Sequence, residues 1–120
     1  MGTADHSAFL STQRALELHE AWGGARFRQN NHRLMKEARA RILEAFPTFL
    51  PSGPSDGLAM ASFLIPKKVG LYERLFEHHN IEVFLNEWED MLMLRISCFG
   101  AYNTMDDYER LIEALKIEGY

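Results

Sequence analysis

Cysteine is almost missing from this chain: Cys98 is the single thiol among 120 residues. No internal disulfide is therefore available, and the fold must be held by its own core. That thiol lies in the apolar run 91–99 and is expected to be buried, because a free cysteine behaves as a small hydrophobe. Positive charge is also short, with 13 Lys and Arg against 17 Asp and Glu and a formal net charge of −4. Nucleic-acid binding needs a surplus of cations to displace counterions from phosphates, so it is disfavoured as the main task. No apolar stretch approaches the roughly 18 to 20 residues that span a bilayer. The first six residues, Met1 to His6, lack a basic segment followed by an apolar one. These absences point to a cytoplasmic protein with neither a nucleic-acid nor a membrane partner.

What is present is ordinary globular composition, 47% hydrophobic and 25% charged, in a length that suits one domain burying roughly 65% of its unfolded surface. Residues 7–22 read as a helix stopped by Gly23-Gly24. A second helix spans 25–46, with Phe27, Leu34, Ala38, Ile42 and Phe46 at helical spacing, and Pro47 ends it. The basic residues of that helix, Arg26, Arg28, Arg33, Lys36, Arg39 and Arg41, are interleaved with Glu37 and Glu44, which makes a solvated face. The Pro- and Gly-rich stretch 47–57 reads as a surface loop.

A buried strand is expected over 58–65. A short helix follows between 67 and 80, carrying Val69, Tyr72, Leu75 and Phe76 on one side. Strands at 81–85 and 91–99 should pair as a hairpin around a polar turn. A last helix starts near Thr104, where Thr104-Met105-Asp106-Asp107 resembles a capping box with Asp in place of Glu, although Asn103 could cap instead. The order is α-α-β-α-β-β-α. This predicts an α+β domain with a small, mainly antiparallel sheet of about three strands and helices packed on one face.

Few side chains suggest chemistry. Neighbouring His78 and His79 point in different directions and have no further ligand at metal spacing, so they read as a solvated helix end and no metal site is expected. Ser62 and Ser97 lack the glycines of a nucleophile elbow, which leaves a hydrolase without support. Arg95 is different, because it interrupts an apolar strand. Alternation places it with Met93, Ser97 and Phe99 on one face. A charge there pairs with a carboxylate such as Glu82 or Glu87, faces solvent, or serves a ligand.

Two segments carry a family resemblance. Arg95-Ile96-Ser97-Cys98-Phe99-Gly100-Ala101-Tyr102-Asn103-Thr104, followed by Asp106-Asp107-Tyr108-Glu109-Arg110-Leu111, resembles the signature near the C-terminus of class-V aminotransferases, which are pyridoxal-phosphate (PLP) enzymes of fold-type I. Gly2-Thr3-Ala4-Asp5 with Ser7-Ala8-Phe9-Leu10 resembles a stretch of the isopenicillin-N-epimerase-like branch. The order of elements is also similar to that family's C-terminal small domain over essentially all of residues 1–120.

The resemblance implies a single domain, 1–120, with the large PLP-binding domain absent. That missing half carries the Schiff-base lysine, usually after a His. The four lysines here are Lys36, Lys67, Lys68 and Lys116, and none follows a His. PLP chemistry needs an aldimine and a partner for the ring nitrogen. The implied function is therefore that of a substrate-carboxylate-binding domain that carries no catalytic residue and is not competent alone. Arg95 would clamp the carboxylate of an amino-acid substrate. Thr3 and the backbone of Gly2 would reach the PLP phosphate of a neighbouring subunit. The implied partners are a large PLP-binding domain or a second subunit, in a homo-oligomer such as a dimer. The competing reading is a free-standing α+β binding or interaction module. Phe9, Leu10, Leu16 and Trp22 cannot all face so small a sheet, so the first helix should expose an apolar patch.

Overall fold

The computed structural model describes residues 6–53 and 57–120. Four helices and four strands follow one another as α1 (Ser7–Ala21), α2 (Gly24–Ala45), β1 (Leu50–Ser52), β2 (Met60–Pro66), α3 (Leu71–His79), β3 (Phe84–Trp88), β4 (Met91–Ser97) and α4 (Met105–Ile117). The α+β class and the pairing of β3 with β4 agree with the sequence reading, but β3 lies at 84–88 and not at 81–85, so Asn86, Glu87 and Trp88 of the expected turn pair with Met93, Leu92 and Met91. The strand count differs too: the sheet has four strands in the order β1-β2-β4-β3, all neighbours antiparallel. The additional strand lies inside the stretch taken for loop. There Leu50, Pro51 and Ser52 pair with Leu64, Phe63 and Ser62. A three-residue edge strand tolerates Pro51 because one side of its backbone has no neighbour to bond.

Residue alternation builds two different sheet faces. The inner face presents Ala61, Phe63 and Ile65 from β2 and Leu92, Leu94 and Ile96 from β4, all buried. Met35, Ala38 and Ile42 from α2 close over it, with Leu71 and Leu75 from α3 and Leu111, Ile112 and Leu115 from α4. Helices thus cover one face only. Among the described residues no helix is long and apolar enough to cross a membrane.

Gly23, at φ 107°, makes the reversal between α1 and α2 in a backbone region open to glycine,. Beyond it α1 buries none of its residues. Phe9 and Leu10 are 80% and 81% exposed, and Leu16 and Trp22 are exposed too, as the helix pattern required.

The phase of α3 departs from expectation. Gly70 adopts a left-handed conformation and the helix begins at Leu71, so Leu71 and Leu75 turn inward, while Val69, Tyr72 and Phe76 stay exposed. The same phase points Arg74 and His79 at Glu118, which makes a salt bridge to Arg74 and a 3.1 Å contact with His79 Nε2. His79 is therefore half-buried and engaged, not a solvated helix end. Beside it, Lys68 Nζ donates to the carbonyls of Glu118 and Gly119, both at 2.7 Å, and lies over the Tyr120 ring. Tyr120 Oη donates to the Pro66 carbonyl, and burial pushes its phenol up to about 12.

Hydrogen bonds from Arg74 first, and His79 second, hold the Glu118 carboxyl below its ordinary value of 4.5. A carboxylate depressed in the folded state stabilises it fully above the unfolded value, and the contribution is lost as pH falls through the folded one. Amide-exchange protection at Gly119 and Tyr120 should therefore persist as pH falls to 4.5 and collapse only below it. Glu118→Gln should lower that protection already at neutral pH. Unchanged protection in the variant would show that the ion pairs do not hold this segment.

Candidate functional site

Arg95 sits two-thirds of the way along β4, on the sheet face that no helix covers. Direct cross-strand partners point the same way, so Phe84, Arg95, Ser62 and Ser52 form one row across the sheet. On one side lies the row Leu50, Leu64, Met93 and Asn86, followed by Pro66, Met91 and Trp88; on the other side Met60 pairs with Ser97. Antiparallel sheets with one solvated face ordinarily turn polar residues outward. Here the outward face is largely hydrocarbon and carries one guanidinium.

That guanidinium has no ion pair among the described residues. Its Cζ lies 4.0 Å from the centroid of the Phe84 ring, a cation–π stack,. Neither carboxylate expected as its partner takes it: Glu87 pairs with Lys67 at 2.8 Å, and Glu82 makes no ion pair among the described residues. Stacking on Phe84 orients the planar group while leaving its N–H donors unspent. A guanidinium in that state can donate two parallel hydrogen bonds to a carboxylate.

Arg95 lines a cleft of about 610 Å³ formed where the chain entering β3, the end of β4 and the start of α4 converge. Its walls include Glu82, Phe84, Tyr102, Asn103 and Arg110. The volume falls in the range of small-molecule sites. Sequence reasoning did not anticipate Phe84, because the β3–β4 register could not be read. Arg110 stood within the quoted signature without a role.

Most of the signature fixes the turn beside this cleft. Asn31, a buried polar residue of α2, accepts the Gly100 N–H at 2.9 Å through Oδ1. A Cβ on Gly100 would fall 2.7 Å from that oxygen, so the position excludes a side chain unless Asn31 yields. Asn103 Oδ1 accepts the Phe99 N–H at 2.9 Å, which makes it a turn staple and not the helix cap. Asp107 Oδ2 accepts the Thr104 N–H at 3.0 Å, closing the expected capping box from the acidic side,. Tyr108 Oη donates to the Ser97 carbonyl at 2.9 Å. Trp22, Phe27, Phe99 and Tyr102 pack ring to ring behind the turn, with centroids 5.0 to 5.8 Å apart in successive contacts.

Cys98 is buried, and burial pushes its thiol up, with a hydrogen bond to Tyr108 opposing. Burial likewise raises the Tyr108 phenol. Both stay protonated near neutrality, so neither is an activated nucleophile. Among the described residues no three His, Cys, Asp or Glu groups converge as metal ligands.

The lysines do not fit a covalent PLP site on this chain. None lines the cleft around Arg95. Lys67 is spent on Glu87 and Lys68 on two carbonyls, while Lys36 and Lys116 lie exposed on α2 and α4. Gly2 and Thr3, the residues expected to meet a cofactor phosphate, lie outside the described residues.

The chain is similar to an isopenicillin N epimerase. It is 30% identical to that protein of Amycolatopsis lactamdurans over 120 aligned residues, which cover 96% of this chain. The chain spans only 30% of the length of this relative. No family model matches it. The likeness thus extends over nearly all of this chain and leaves most of the relative without a counterpart here.

An exposed arginine held only by a ring contributes little to stability, about 0.5–1 kcal/mol. Arg95→Gln should therefore shift the urea midpoint only slightly. Leu94→Ala, one residue away and fully buried, should cost about 2–5 kcal/mol. A loss of that size from Arg95→Gln would mean that the guanidinium serves the fold.

Proposed function

We propose that this chain acts as the substrate-carboxylate-binding small domain of a PLP-dependent enzyme of the class-V aminotransferase family, in its isopenicillin-N-epimerase-like branch. One observation carries the reading: a guanidinium with no ion pair among the described residues, on a largely apolar sheet face that no described helix covers. Stability does not require a charge there, and the surrounding hydrocarbon suits contact with another polypeptide. Binding sites commonly form at such domain junctions. The 30% identity to an isopenicillin N epimerase supports the same reading.

In this proposal the division of labour follows from which groups each part possesses. The chain has no lysine in the cleft, so the cofactor and its electron-sink chemistry belong to a large domain or second subunit that covers the outer sheet face. Arg95 holds the carboxylate of an amino-acid substrate in a bidentate contact. Fixing the carboxylate limits rotation about the bond to the α-carbon, which sets the orientation of the α-substituents toward the partner's reacting groups. Desolvation on covering the face strengthens that contact. The exposed apolar face of α1 offers a second area for the same partner or for another copy in a homo-oligomer.

Three measurements test this. Incubated with PLP and reduced with borohydride, the chain should show no stoichiometric adduct confined to one lysine, and such an adduct by mass spectrometry would overturn the assignment. In nuclear magnetic resonance titrations acetate should perturb the Arg95 guanidinium signal, with the response abolished in Arg95→Gln. Sedimentation at rising concentration should reveal self-association, weakened by Phe9→Glu with Leu16→Glu. A monodisperse monomer that ignores acetate would instead support a free-standing module.

A further inference from the structure

The cleft that contains Arg95 holds a second guanidinium. Arg110 rises from α4 into the same wall, four residues along from Asp106 and three from Asp107, with Glu113 three residues further on. Each of these spacings suits an ion pair on a helix surface. Arg110 forms none among the described residues. Asp107 is spent on the Thr104 N–H, and by contrast Arg41 on α2 takes both Glu44 and Glu109. An arginine with Asp106 and Glu113 nearby on its own helix, yet without an ion pair among the described residues and lining a cleft, can meet an anion from outside.

We propose that Arg110 is a second carboxylate contact in the Arg95 cleft, so that the cleft selects compounds bearing two acidic groups. This rests on the reading of Arg95 as the first contact. The two guanidiniums come from different elements, β4 and α4. Their relation is nonetheless set by the Asn103 staple and the Tyr108 to Ser97 bond across the intervening turn. The cleft, about 610 Å³, exceeds the needs of one carboxylate head group, and both arginines line it,. Glu82 and Asp107 line it as well, which balances the two cations and leaves a weak overall field. Selection therefore comes from two local charge-assisted contacts and not from long-range attraction.

Titrating the chain with glutarate and with butyrate, followed by guanidinium and amide resonances, separates this proposal from the reading beneath it. Glutarate should bind about tenfold more tightly than butyrate, the gain expected of one added charge-assisted hydrogen bond in a partly exposed site. Arg110→Gln should erase that preference and leave butyrate affinity within about twofold, while Arg110→Lys should keep part of it. Arg95→Gln should weaken both compounds. A preference for glutarate that survives Arg110→Gln, or none in the unaltered chain, overturns the second contact and leaves Arg95 standing. Indifference of both compounds to Arg95→Gln, or no binding of either, overturns both.

Discussion

The period of two along β4 is the constraint on which the site depends. Leu92, Leu94 and Ile96 fill the core from one side of this strand, and Met91, Met93, Arg95 and Ser97 stand on the other. A register slip of one residue would put the guanidinium into hydrocarbon and expel Leu94. Burying an unpaired charge is among the costliest changes a core can suffer. The same packing that makes β4 a central strand, hydrogen-bonded to β2 and β3 on its two edges, therefore fixes the direction in which Arg95 projects. Core and site are two faces of one strand, and the site inherits the precision of the core.

The turn after β4 extends that precision to α4. Gly100, Asn103, Thr104, Asp107 and Tyr108 each either make or permit a hydrogen bond that closes the turn. Asn103, Asp107 and Tyr108 also line the cleft, but their polar atoms are engaged in the turn. Residues that make a sequence recognisable can thus be scaffold around a reacting group: here they hold Arg95 and Arg110 in one cleft, while the chemistry open to the chain lies in the two arginines.

What could be read from the sequence followed the strength of the local signal. Long periodic helices, the stops at Gly23 and Pro47, the pairing of the two last strands, and the alternation that puts Arg95 on one face with Met93 and Ser97 were all legible, because each rests on spacing within a dozen residues. The strand β1 was not. Three residues that include Pro51 carry no periodicity, and they become a strand only because β2 offers an edge. The phase of α3 was misjudged because Val69 and Tyr72 look like core, whereas the left-handed turn at Gly70 starts the helix later and gives the inner face to Leu71 and Leu75. The tie between His79 and Glu118 crosses 39 residues, and no local pattern announces such a contact. The stacking of Arg95 on Phe84 depends on strand register, which is likewise invisible until the sheet is assembled.

The outer sheet face bears on whether such a unit is self-sufficient. A free-standing two-layer domain gains nothing by presenting Leu50, Met60, Phe84 and Trp88 to water. Polar residues at those positions would leave the inner core untouched and improve solubility. These side chains, like Phe9, Leu10 and Leu16 of α1, lie outside the buried core. On the proposed reading both surfaces are covered in the working assembly, and covering them also removes water from around Arg95. A surface arginine is a weak anion contact in water, but the same group walled by methionine, leucine and phenylalanine becomes a strong one once a partner closes over it. Assembly and carboxylate binding would then be one event, with each stabilising the other.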